Sequence, residues 1–257
     1  MIFVSSENCE CHITKGVSGR GGRVHRYLGV VGKMHDGPQA YIVEMLDPQS
    51  VIEPHFHDVD QFQIFVEGSG TFGKKKVQAV TAQYADAYTP YGPIVADETL
   101  SYFTLRLAAS GAFFPMPGSR DKMPGPPGRN AMARFDVAAG DDRARTTALS
   151  PPTDDGMRLD GLYIPPQAKA QGITNDGGGQ YYLVCAGALI HDGATMPRLS
   201  LAYVAAGEPP PTFTAGPEGA AVLMAQFPRP TQRPGSDPAA LARREAAHSA
   251  PFKDHAD

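Results

Sequence analysis

The chain has 257 residues, 42% hydrophobic and 19% charged, enough for one large core or two smaller ones and too apolar for a disordered protein. A net charge of −4 offers no basic footprint for nucleic acid, and no apolar run approaches the ~20 residues that cross a bilayer. Three cysteines, an odd number, fit reduced thiols and predict a cytoplasmic protein.

Residues 1–25 are polar and glycine-rich and read as an irregular lead-in without the basic start of a secretory signal. Within them Cys9, Cys11 and His12 lack a second pair of metal ligands and read as unpaired thiols beside a histidine. Residues 26–108 carry short β-type runs (YLGVVG, AYIVEML, QFQIFV, KVQAV, LSYFTLRL) separated by Gly, Pro, Asp and Asn. The 28 glycines and 24 prolines, about a fifth of the chain, suit many short strands joined by turns. Residues 109–150 open on a proline-rich stretch that no central strand or helix interior tolerates, and read as a connection. A second β-rich block covers 151–228. The remainder, 229–257, is a tail in which Ser236 or Asp237 can cap a short helix.

The two blocks share an internal match. Gln61-Phe-Gln-Ile-Phe-Val-Glu-Gly68 aligns without gaps on Gln180-Tyr-Tyr-Leu-Val-Cys-Ala-Gly187, 119 residues later. With a proline-rich bridge between them, this predicts two barrels of similar topology arising from a duplication.

The residues richest in chemistry are Pro54-His55-Phe56-His57-Asp58-Val59-Asp60-Gln61, followed by Gly68. On a strand, His55 and His57 face the same side, a start on a divalent transition-metal site. The spacing resembles the first motif of the cupin superfamily (His-x-His, a Glu, then Gly), with Gln61 standing where that family has Glu. Pro90-Tyr91-Gly92 resembles the second cupin motif, with Val95 at the place of its third histidine. In the second block, Thr174 and Asp176 fall where the histidines would be, so that half resembles a cupin in frame only.

The resemblance implies an all-β fold of two double-stranded β-helix (jelly-roll) barrels with a short C-terminal helix or tail. It implies a metal held by His55, His57 and Gln61, with Zn, Fe, Mn, Ni or Cu all open. A dioxygenase, isomerase or lyase acting on a small polar or aromatic molecule would follow. The other reading is a non-catalytic small-molecule-binding or structural bicupin without metal. Alternation along the strand places Gln63 and Phe65 beside Gln61 on the barrel's inner face, with Phe62, Ile64 and Val66 facing away. Tyr91 and Val95 complete the expected cavity wall. By analogy with the family, broad sheet faces also predict a homodimer.

Overall fold

The computed structural model describes residues 1–14, 22–31, 37–109, 112–138 and 143–237. The strands of the N-terminal half are β1 (Ile2–Val4), β2 (Glu10–Thr14), β3 (Gly22–Leu28), β4 (Gln39–Met45), β5 (Val51–Ile52), β6 (His55–Phe56), β7 (Gln61–Phe72) and β8 (Lys75–Gln78). They continue with β9 (Thr81–Ala85), β10 (Ile94–Arg106), β11 (Phe114–Pro115) and β12 (Asn130–Arg134). The C-terminal half supplies β13 (Arg145–Ser150), β14 (Arg158–Ile164), β15 (Lys169–Gln171), β16 (Gly179–His191), β17 (Ala194–Pro197), β18 (Leu201–Ala205) and β19 (Thr212–Phe227). Two short 3-10 turns are the only helical elements among the described residues, so the protein is all-β.

Every strand pairing is antiparallel. One sheet runs β12-β9-β7-β10-β4-β3-β2, with β5 on β10 and β8 on β7. The other runs β1-β18-β16-β19-β14-β13, with β15 on β19 and β17 on β16. A two-stranded ribbon joins β6 to β11.

Both segments expected to be irregular are partly built into these sheets. Within residues 1–25, β1 crosses the molecule to pair with β18, while β2 and the start of β3 extend the first sheet. Within 109–150, β12 pairs with β9 and β13 with β14. Edge strands bond to one neighbour only, so β2, β12 and β13 form from largely polar sequence that lacks the apolar runs of a central strand, while β1 is apolar but only three residues long. The expected C-terminal helix falls mostly in 238–257, outside the described residues.

Central strands are buried on both faces, which is why they read as continuous apolar runs. On β7 and β10, Phe62, Ile64, Phe103 and Leu105 point toward the other half. There they meet Tyr181, Leu183, Leu223 and Phe227 in the largest core of the molecule. Phe62 and Phe227 meet edge to face at 4.8 Å. Residues in between point into their own barrels: Phe65, Phe72, Tyr91, Ile94 and Tyr102 in the first, Tyr182, Val184, Phe213 and Val222 in the second. Each half thus buries one broad sheet face against the other within one chain. The Tyr181 hydroxyl also reaches across, lying 2.7 Å from the Arg106 carbonyl and 3.2 Å from that of Gln39.

The halves share a register. Gly68 on β7 faces Leu100, and Gly187 on β16 faces Ala220, each beside a bulge. Both glycines are left-handed (φ +72° and +66°). A Cβ on either would come within 2.0 and 2.1 Å of a cross-strand carbonyl oxygen, of Thr99 and Gly219 respectively. Only glycine fits such a position.

Candidate functional site

The site is assembled around β6. His55 exchanges backbone hydrogen bonds with Tyr91 (3.1 and 3.0 Å) and pairs on its other side with Pro115 of β11. Phe56, pointing the opposite way, packs against Phe114 and Tyr88. His57 follows immediately, so the two imidazoles come together, their centroids 5.2 Å apart and their planes at 86°. The Tyr91 ring lies 4.6 Å from His55 and 6.4 Å from His57. Phe113 stacks on His55 at 4.3 Å and stands edge-on to His57 at 5.9 Å, covering the pair.

Each imidazole is held by a carbonyl oxygen. His55 Nδ1 donates to Glu53 O at 2.7 Å and His57 Nδ1 to Ala112 O at 2.5 Å. A carbonyl only accepts, so both Nδ1 atoms carry the proton and both Nε2 atoms hold a lone pair. Burial lowers the His55 pKa to about 4; the Glu53 carbonyl opposes the shift and the Arg106 charge adds to it. His57 is pushed well below the ordinary histidine value by burial, then by Arg106 and His55. Both rings are neutral at physiological pH.

Gln61 opens β7 on the same inner face. Its amide donates to the Tyr91 hydroxyl at 2.5 Å, and its Oε1 accepts from Arg106 Nε (3.2 Å) and Nη2 (2.9 Å). Arg106 Nη1 donates to Gln39 Oε1 at 2.9 Å. Gln63 and Phe65 follow Gln61 inward. Gln63 lies in register between Gln83 and Thr104, and Phe65 packs on Phe72 and Tyr102. Among the described residues, the Oε1 atoms of Gln63 and Gln83 are buried without a donor.

One expected member of the site lies elsewhere, and another has a partner that the sequence did not announce. Val95 is off the cavity wall: its neighbours Ile94 and Ala96 belong to the inner core, so alternation turns Val95 outward. Gln61 is beside the histidines, but the oxygen a metal would use is already taken by Arg106. The sequence reading missed Arg106, Gln39 and Phe113. Arg106 had a signal: in LSYFTLRL it shares a face with Tyr102 and Thr104. Phe113, in the proline-rich stretch, had none.

The corresponding end of the second barrel satisfies itself. Gln180 donates to Gln226 Oε1 (2.8 Å), the Tyr182 hydroxyl donates to Gln180 Oε1 (3.0 Å), and Gln226 donates to Asp176 (2.5 Å). Arg158 there is paired with Asp160 at 2.6 and 2.8 Å. Among the described residues, no three His, Cys, Asp or Glu side chains form a metal-holding group anywhere.

No protein-family model and no curated protein matches the chain. Its fold recurs in solved structures. Oxalate decarboxylase of Lactobacillus farciminis, in a formate complex, is 9% identical with a TM-score of 0.58, over 89% of this chain and 86% of that one. A bacterial pirin from Escherichia coli in complex with nickel(II) is 12% identical with a TM-score of 0.55, over 89% and 99%. Vicilin from hazelnut, Corylus avellana, is 14% identical with a TM-score of 0.54, over 88% and 85%. All three are cupins. At such identities the likeness is one of fold.

Proposed function

The chain has the two-barrel cupin fold, and on that premise we propose that its N-terminal barrel binds a small organic molecule directly through side chains. The observation that carries this reading is the pair of neutral imidazoles, each anchored through Nδ1 and each with a lone pair on Nε2, beside Gln61, Tyr91 and Arg106. A bound molecule can donate hydrogen bonds to the two Nε2 atoms. If it bears a labile proton there, a neutral imidazole can accept it, which is the proton transfer that an isomerase or lyase requires.

A resident divalent metal fits this donor set at two positions only. His55 and His57 are neutral and braced by carbonyls, as metal-ligating imidazoles usually are. That bracing favours a second reading, in which a metal sits on the two Nε2 atoms and draws its other ligands from substrate or water. Against it, no carboxylate among the described residues joins them, the Gln61 oxygen is engaged, and a guanidinium adds positive charge close by.

Two measurements test the reading. Thermal shift against a panel of small polar and aromatic molecules should find stabilising compounds, as any ligand of the folded state stabilises it by mass action. His57→Ala should remove that stabilisation. Metal analysis of protein purified without an affinity tag should find less than one equivalent. A full equivalent, lost in His55→Ala, would favour the metal reading instead. Dimer formation remains a proposal from the fold; light scattering at 27.4 kDa at every concentration would overturn it.

A further inference from the structure

We propose that the molecule bound in the N-terminal barrel is a small organic acid, and that Arg106 receives its carboxylate. The inference rests on the binding reading above and narrows it to a ligand class.

Arg106 is 2% exposed, and its hydrogen bonds go to the neutral amide oxygens of Gln61 and Gln39. Among the described residues no Asp or Glu forms an ion pair with it. A buried guanidinium with neutral partners alone is costly, because amide dipoles replace only part of its lost hydration. Proteins keep such a charge when something else supplies the counter-charge.

The second half of this chain shows what a compensated version looks like. By strand register Gln61, Arg106 and Gln39 correspond to Gln180, Gln226 and Arg158: Arg106 faces Gln39 across β10 and β4, and Gln226 faces Arg158 across β19 and β14. The arginine and one glutamine have exchanged strands. In the second half the arginine meets Asp160, itself 1% exposed, through two hydrogen bonds. In the first half the residue two places after Gln39 is Tyr41, whose ring lies 5.8 Å from the Arg106 guanidinium. The carboxylate present in one barrel is missing from the other, and the barrel that lacks it is the one with the histidines.

The guanidinium has five N–H donors, of which three are used by Gln61 and Gln39. Two hydrogens remain, one on each Nη, and a guanidinium can give such a pair to a carboxylate in two parallel bonds. The donor-free Oε1 atoms of Gln63 and Gln83 on the same inner face suit a hydroxyl or amino group on the same ligand. Together these select a small hydroxy or amino acid over a neutral molecule of equal size.

The test compares glycolate, lactate, malate, glycine and benzoate with their neutral amides by calorimetric titration against the native protein and two variants. At least one acid should bind, and at least tenfold more tightly than its amide. Gln39→Glu places an internal carboxylate where Arg106 Nη1 already donates. It should raise the melting temperature and weaken acid binding at least tenfold, and because it adds a partner it does not depend on a damaged protein folding. Arg106→Gln should lose acid binding and with it the preference for an acid over its amide, while Gln39→Glu, which keeps the guanidinium, should lose the preference without losing the fold. If amides bind as well as acids, or if Gln39→Glu lowers the melting temperature, the carboxylate assignment is overturned while direct ligand binding stands. If neither acids nor neutral compounds bind, both readings fall.

Discussion

The carboxamide oxygen of Gln61 accepts from two nitrogens of Arg106, Nε at 3.2 Å and Nη2 at 2.9 Å. This contact sets the character of the whole site. It occupies the Gln61 oxygen, brings a positive charge beside two neutral histidines, and ties β7 to the end of β10.

Substitutions at Gln61 should therefore report on Arg106. Gln61→Leu strands a buried charge and should cost about 2–4 kcal/mol in denaturant unfolding. Gln61→Glu restores the residue that cupins carry at this spacing, yet here it should pair with Arg106 and raise the denaturation midpoint. Tighter metal binding in Gln61→Glu would show that its carboxylate prefers a metal to the guanidinium.

The histidines make stability depend on pH. His55 has a folded pKa of about 4, below the ordinary value near 6.5, so the unfolded chain takes up the proton more readily. Stability from this group is complete above about pH 6.5 and is lost as the pH falls toward 4, a change on the order of 3 kcal/mol. His55→Gln, which can still donate to the Glu53 carbonyl, should flatten the unfolding profile across that window.

A second acid transition lies lower. Burial alone would raise the Asp155 carboxyl, but hydrogen bonds from Arg129 and Thr153 outweigh it and hold the pKa at about 2. Arg129 also bonds Asp86, which it holds below the usual value against burial. These depressed carboxylates stabilise the fold above the ordinary carboxylate range, and their contribution disappears as the pH drops below 4. Arg129→Leu should abolish that steeper loss, read by circular dichroism between pH 4 and 2.

Two left-handed glycines of the first barrel, Gly68 within β7 and Gly73 just after it, give a paired test. Gly68→Ala forces a Cβ within 2.0 Å of the Thr99 carbonyl at a positive φ, and should cost well over 1 kcal/mol. Gly73→Ala has a similar φ of +59°, but its nearest neighbour is 3.4 Å away, so it should cost about 1 kcal/mol. Equal losses at the two sites would show that backbone conformation alone, and not the close approach, requires glycine at Gly68.

Much of this was written in local pattern. The alternation in Gln61–Val66 is visible because a strand buried on both faces still sorts polar from apolar side chains. His55 and His57 stand out because two imidazoles flank a phenylalanine ahead of a regular run. Val95 was misplaced because a family motif fixes spacing along the chain, whereas a side chain's direction follows the pleat of β10. Arg106 and Gln39 are 67 residues apart, and nothing local to either announces the bond. The three-residue β1 and the polar β2 were missed because their partners, β18 and β3, supply the register that their own sequence does not.

The Tyr181 hydroxyl, seated on the carbonyls of Gln39 and Arg106, makes the C-terminal barrel a splint for a site it does not contain. It grips the backbone of the two strands that aim the guanidinium, and it does so from a face packed solid with aromatic rings. Cutting the chain between its halves would leave a histidine pair with its arginine poorly aimed, so the halves inherit their function jointly. If the site binds the acid proposed above, selection could retune its preference from the far barrel, through residues such as Tyr181, without altering Arg106 itself.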